Sequence, residues 1–213
     1  MRLTRPVLAL AIVSAVSLSI SGATAATAPK TVSWTDIAGD GNGLNDQVID
    51  GGPGDSGTAT PGSQPGADVV KAELVSTYAK VGKKLTCSGF TATMTLSGPP
   101  VASTHYRIEG TTDTNTTFLI LEHDSKTDDV RYATSATDDN TIPLTKAVKV
   151  VGNKIIWTVT LKDFKNIGET TSSVLGSLTS TVANELSTPV ASAYLPSMDK
   201  APAPDGTTFK FCS

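Results

Sequence analysis

Six aspartates and no lysine or arginine fall between residues 31 and 70, among nine glycines. They are Asp36, Asp40, Asp46, Asp50, Asp55 and Asp68. Carboxylates at this density repel one another unless a positive charge sits between them. Glycine lets the backbone turn sharply enough to aim several oxygens at one centre. Oxygen donors on such a loop suit a hard cation, calcium first. The loop is not an EF-hand. Counted from Asp40, the fifth position is Leu44 and the twelfth is Gly51, where that motif needs an oxygen donor and a glutamate. The same aspartates, with Asn42, also make good turn formers, so plain turn chemistry stands beside the cation reading.

Two segments imitate catalytic sites. Gly54-Asp55-Ser56-Gly57 matches the serine signature of chymotrypsin-like proteases. That chemistry also needs a histidine base and a buried carboxylate, which in that fold precede the serine. No histidine precedes Ser56, and Thr58 stands where a glycine is expected. An esterase of the Gly-Asp-Ser-Leu type would place its histidine near the chain end, whereas the last histidine here is His123. Glu122-His123-Asp124 sets a histidine between two carboxylates. Neighbours in a strand point to opposite faces, so the three do not converge. A zinc site of the ordinary kind asks for more histidine or cysteine than this chain supplies. Asn115-Thr116-Thr117 has the pattern of a glycosylation acceptor. No catalytic residues are assigned, and the chain reads as a non-enzyme.

Residues 1–25 read as a secretory signal peptide: Arg2 and Arg5, an apolar stretch from Val7 to Ile20, then Ala23-Thr24-Ala25 before the expected cut. The remaining 188 residues (213 less 25) carry 15 cationic and 20 acidic side chains, a formal charge of −5. That balance argues against nucleic acid, which needs basic surface to displace counterions. Lys and Arg read as dispersed, which argues against an anionic membrane surface. No later segment is apolar enough to span a bilayer, so no membrane insertion is expected after cleavage. Secretion exposes Cys87 and Cys212 to an oxidising compartment, where an even count favours pairing over two free thiols.

The elements that must hold these residues read mostly as strands. Residues 26–66 are rich in turn signals, Gly51-Gly52-Pro53-Gly54 among them, and poor in regular structure. From Asp68 onward the period is two. Val70, Ala72 and Leu74 alternate with Lys71 and Glu73, and Phe90, Ala92, Met94 and Leu96 alternate with threonines. Phe118–Leu121 suits a central strand. Gly152-Asn153 between two apolar runs marks a hairpin. Val174, Leu178, Val182 and Leu186 recur at i+4, which predicts a short helix or an irregular excursion within 170–195. Strands near Val190–Leu195 and Thr207–Phe211 follow. The sum is an all-β, antiparallel sandwich over 67–213 of jelly-roll or immunoglobulin-like kind, with the acidic region 26–66 packed on it and at most one short helix.

The run Trp34-x-Asp36-x-x-Gly39-Asp40-x-Asn42-Gly43, then Pro65-Gly66-Ala67-Asp68 opening a strand, resembles the start of DOMON-like modules related to family 9 carbohydrate-binding modules. The Ile155–Leu161 strand and Pro196-Ser197-Met198-Asp199-Lys200-Ala201-Pro202 fit the same layout. Ile37 departs from it, standing where proline is common. Such modules are attached to secreted bacterial enzymes and often hold a structural calcium in the N-terminal loop. Carried over, the resemblance implies calcium ligands at Asp36, Asp40, Asn42 and Asp68, with Asp199 as a further one.

The family's sugar binding finds less support. Sugar platforms need exposed aromatic faces. Trp157 alternates with core residues, and Trp34 reads as a packing anchor for the loop. That leaves Tyr78, Tyr106, Tyr132 and Tyr194. Some DOMON domains hold haem through Met and His, but Met94, Met198, His105 and His123 show no spacing for an axial pair. The favoured reading is a secreted binding or structural module stabilised by calcium and one disulfide. Its extracellular ligand is unknown, a glycan or cell-surface component being the class the resemblance implies. A carbohydrate-binding module and a small secreted hydrolase or inhibitor are the alternatives.

Overall fold

The computed structural model describes residues 30–36, 65–102, 104–113, 118–124, 128–133, 140–184 and 197–212. Among them lie twelve strands and one α-helix. The strands are β1 (Thr31–Thr35), β2 (Val69–Val81), β3 (Lys84–Leu96), β4 (Thr104–Thr112), β5 (Phe118–His123) and β6 (Asp128–Ala133). They continue with β7 (Asn140–Pro143), β8 (Lys149–Val151), β9 (Lys154–Thr160), β10 (Val174–Asn184), β11 (Ser197–Pro202) and β12 (Phe209–Lys210). Helix α1 (Leu161–Asn166) follows β9. One sheet has the order β1-β2-β3-β9-β8, the other β11-β10-β4-β5-β6-β7, with β12 also on β10. The strand pairs are antiparallel. The fold is the all-β sandwich that the alternation predicts.

The core lies between the sheets. Ala72, Leu74, Phe90, Ala92, Met94, Ile155 and Trp157 enter it from the first sheet, and Tyr106, Ile108, Leu119, Leu121, Val130 and Val182 from the second. Burying each large apolar side chain contributes roughly 1.5–3 kcal/mol against the cost of ordering it. Gly89, at φ 138°, lies where a Cβ would sit 2.0 Å from the Val159 carbonyl oxygen. Only glycine permits β3 to approach β9 so closely there. Phe90, Phe164 and Phe211 stack with centroids 4.1–5.4 Å apart, joining α1 to the C-terminal segment. Next to Phe211, Cys212 is bonded to Cys87 near the turn of the β2–β3 hairpin, Cα to Cα 5.8 Å. This crosslink closes a loop of 125 residues, worth up to about 4–5 kcal/mol in the chain-entropy account.

Some expectations need correction. Residues 174–184 form the extended strand β10, not a helix. A spacing of four is also a multiple of two, so Leu178 and Val182 share one strand face. A register shift between Gly176 and Thr179, with Ser177 at φ 50°, sets Leu175 to the same inward side out of phase. The segment 26–66, read as poor in regular structure, contributes one edge strand, β1, beside β2. Val70 is only half-buried while Val69 is fully buried, since a bulge between Val69 and Lys71 shifts the alternation. The predicted Ile155–Leu161 strand stops at Thr160, where Thr160 and Asp163 form a reciprocal capping box that starts α1. The last strand is shorter than Thr207–Phe211, and 190–195 lies outside the described residues.

Candidate functional site

The edges β1 of one sheet and β11 of the other meet at a seam. Trp34 bridges it, its indole N–H donating to the Ala201 carbonyl at 2.9 Å and to Ser180 Oγ at 3.3 Å. Trp34 is expected to anchor the acidic loop, whose residues 37–64 lie outside the described residues; here it ties β1 to the second sheet. Three of the aspartates implied as calcium ligands gather here. Asp36 follows β1, and its N–H donates to the Val70 carbonyl at 3.2 Å. Asp68 immediately precedes β2, and its Oδ2 accepts from Ser97 Oγ at 2.5 Å. Asp199 comes from β11, and its Oδ2 accepts from the Val69 N–H at 2.6 Å. Residues 163 positions apart in the chain therefore bracket Val69–Val70.

Asp68 and Asp199 are buried, and an oxygen of Asp36 is buried too. Burying carboxylates costs several kcal/mol each unless something compensates. The Val69 N–H and the Ser97 hydroxyl contribute to that compensation. Asp40, Asn42 and the protease-like Ser56 lie outside the described residues, as do Asn115 and the signal segment.

A second constellation occupies the outer face of the other sheet. On β4, Tyr106 and Ile108 point inward, so His105, Arg107 and Glu109 point outward. The register Arg107↔Glu122 and Tyr106↔His123 lays Glu122 of β5 on that same outer face. Arg107 donates to Glu122 Oε1 from Nε at 3.2 Å and from a terminal nitrogen at 2.9 Å. His105 Nδ1 lies 2.7 Å from Glu122 Oε1 and 3.3 Å from Asp124 Oδ2. The Trp157 indole N–H reaches across from the first sheet to the Glu122 carbonyl at 3.2 Å. Burial pushes the Glu109 carboxyl up; attraction to Arg107 and Lys200 opposes this, Glu122 reinforces it, and a hydrogen bond with Thr181 opposes it.

Glu122, His123 and Asp124 do not converge, as strand geometry predicts. His123 shares the inward side with Tyr106 and holds Asp128 Oδ1 at 2.7 Å. The sequence reading did not foresee that His105, from the neighbouring strand, would complete a group with the two carboxylates. The signal available was the outward set His105, Arg107 and Glu109, visible once β4 is phased on Tyr106 and Ile108. Its pairing with Glu122 needed the β4–β5 register.

Both tryptophans are buried, Trp34 at 3% and Trp157 at 0% exposure, so neither offers a sugar platform. Met94 is in the core. Among the described residues, no helix is long and apolar enough to cross a membrane. No protein-family model matches this chain, and neither a curated protein nor a solved structure matches it.

Proposed function

We propose that the chain is an exported, non-enzymatic binding or structural module in which calcium fastens the acidic N-terminal region to the sandwich. The carrying observation is the placement of Asp36, Asp68 and Asp199 beside the start of β2. Three carboxylates of one sign, drawn from three separate segments, suit an oxygen-coordinated divalent ion. Asp40 and Asn42 complete the ligand set that the DOMON-like resemblance implies. The ion would join β1, β2 and β11, so its binding energy would stabilise the seam between the sheets. The disulfide at the opposite end of β2 supports export, because such bonds persist in oxidising compartments. With the tryptophans buried, the ligand of the module is sought among extracellular components other than stacked sugars.

The test is a thermal melt of the mature protein with EDTA, calcium or magnesium. An ion that binds only the native state stabilises it by about 2.7 kcal/mol at 100 times its dissociation constant. Calcium should raise the melting temperature more than magnesium, whose small octahedral shell resists irregular protein cages. Asp68→Asn keeps the acceptor for Ser97 and should lose most of the calcium response, while Asp50→Ala should keep it. A melt indifferent to calcium would leave these aspartates as turn and seam residues.

A further inference from the structure

We propose that His105, Glu122 and Asp124 bind a zinc-class divalent ion on the outer face of the second sheet, apart from the acidic seam. Their ligand atoms all lie within 4.8 Å of one another. Two ligand atoms on a tetrahedral zinc, each about 2.0–2.1 Å from the metal, stand about 3.3 Å apart. His105 Nδ1 already lies 3.3 Å from Asp124 Oδ2 and 2.7 Å from Glu122 Oε1. Opening the His105–Glu122 pair from 2.7 Å by about 0.6 Å brings both of the His105 pairs to that spacing. The three side chains are 16%, 6% and 10% exposed, so water competes weakly for the ion.

The surroundings hold the ligands in place. In the antiparallel register, His105 falls opposite Asp124 and diagonal to Glu122, within the reach of cross-strand neighbours. The Trp157 indole fixes the Glu122 backbone through its carbonyl. Arg107 orients the Glu122 carboxylate. A carboxylate offers about four lone-pair directions, so the guanidinium and an ion can share it. Ligating carboxylates are ordinarily held by such outer hydrogen bonds. Ion, Glu122 and Asp124 balance in charge, and Glu109 balances Arg107.

The donor set selects the metal. Imidazole nitrogen suits zinc, nickel and copper, while calcium takes oxygen. The scarcity of histidine and cysteine weighs against an all-nitrogen-and-sulfur site, but aspartate and glutamate are ordinary zinc ligands. Three protein donors leave the fourth tetrahedral position to water or to a donor atom of a partner. The site would thus give this sheet face a means of recognising a carboxylate or hydroxyl ligand through the metal.

The test uses the mature, disulfide-bonded protein, dialysed against zinc with calcium present throughout, followed by metal analysis. Wild type should retain one zinc per chain. His105→Gln and Asp124→Asn should retain at least tenfold less, while His123→Gln should match wild type. In parallel, imidazole NMR of wild type needs no variant. The chain has 2 histidines, and zinc should shift the resonances of His105 and leave those of His123. Absence of retained zinc in wild type, equal retention by a folded His105→Gln, or a shift confined to His123 would overturn the proposal. The group would then be a hydrogen-bonded ion network only. Calcium-dependent melting is read separately, so this result does not depend on the seam.

Discussion

The two acidic regions of this sandwich differ in how their charge is balanced. At the seam, Asp36, Asp68 and Asp199 stand beside the start of β2, Asp68 accepting from Ser97 Oγ and Asp199 from the Val69 N–H. On the outer face of the second sheet, Glu109 and Glu122 lie against Arg107, with Lys200 acting on Glu109 and His105 beside Glu122. The second arrangement carries cations of its own; for the first, calcium is the proposed partner. Acidic content therefore says little by itself. The outer face can take a further ion only where an imidazole and a second carboxylate extend it.

The largest effect should come from removing the cation that the outer face supplies. Arg107→Met keeps the stem of the side chain and deletes the guanidinium. It leaves Glu122 and Glu109 without that guanidinium, with His105 beside Glu122 and Lys200 acting on Glu109. Removing one partner of a buried ion pair typically costs about 3–5 kcal/mol. Urea unfolding at neutral pH should show a loss in that range. It should exceed the loss on withdrawing calcium, about 2.7 kcal/mol at the stated saturation. A loss below about 1 kcal/mol would show the face to be hydrated rather than internally balanced.

The two regions were also unequally legible from sequence. The seam could be sensed because its aspartates are dense along the chain and glycine-rich, although Asp199 entered only through the family resemblance. The outer face could not, because its members are scattered over β4, β5 and β11. Which residue of β5 falls opposite Arg107 is decided by Leu119 and Leu121 packing inward beside Ile108, a matter of register. The strands of strict alternation, such as Phe90 to Leu96, were readable for the opposite reason: one face is buried throughout and no bulge interrupts it. Residues 174–184 misled because a period of four fits helix and strand alike, and the bulge at Gly176–Thr179 hides the alternation that would have decided.

A third buried carboxylate sharpens the contrast. Asp163 at the start of α1 is fully buried and has neither an ion nor a guanidinium as its principal partner. It accepts from the Thr145 N–H at 2.9 Å, from the Thr145 hydroxyl, and from the Thr160 N–H and hydroxyl at 2.7 Å each. Burial works to raise its carboxyl, yet these hydrogen bonds outweigh burial and hold it below the usual range. Its stabilising contribution is therefore full above the unfolded carboxylate value, about 3.9, and is lost as pH falls through the lower folded value. Asp163→Asn should cost about 1–3 kcal/mol at neutral pH, less than Arg107→Met. The difference from wild type, measured by urea midpoints, should shrink as the pH is lowered below 4. A constant difference across that range would show that geometry, not charge, holds the capping box.

The smallest effect, and the one of opposite sign in pH, belongs to Glu109. Burial raises its carboxyl, and the attractions of Arg107 and Lys200 only partly offset that. A carboxyl raised on folding adds stability below its unfolded value, about 4.3, and that contribution is lost as pH climbs through the folded value. At neutral pH the native state therefore bears a charge it binds less well than water does. Glu109→Gln removes the charge and keeps an amide that can still meet Thr181, while Arg107 retains Glu122. Stability at pH 7 should stay within about 1 kcal/mol of wild type, since replacing a buried ion is often neutral. Between pH 4 and pH 7, wild type should lose ground relative to the variant. Asp163 predicts the reverse trend, and below pH 4, so the two can be separated by urea midpoints on the same pH series. Should wild type instead gain on Glu109→Gln over that interval, Arg107 and Lys200 would over-compensate the buried charge. The outer face would then depend on Glu109 as a counterion, as the seam is proposed to depend on calcium.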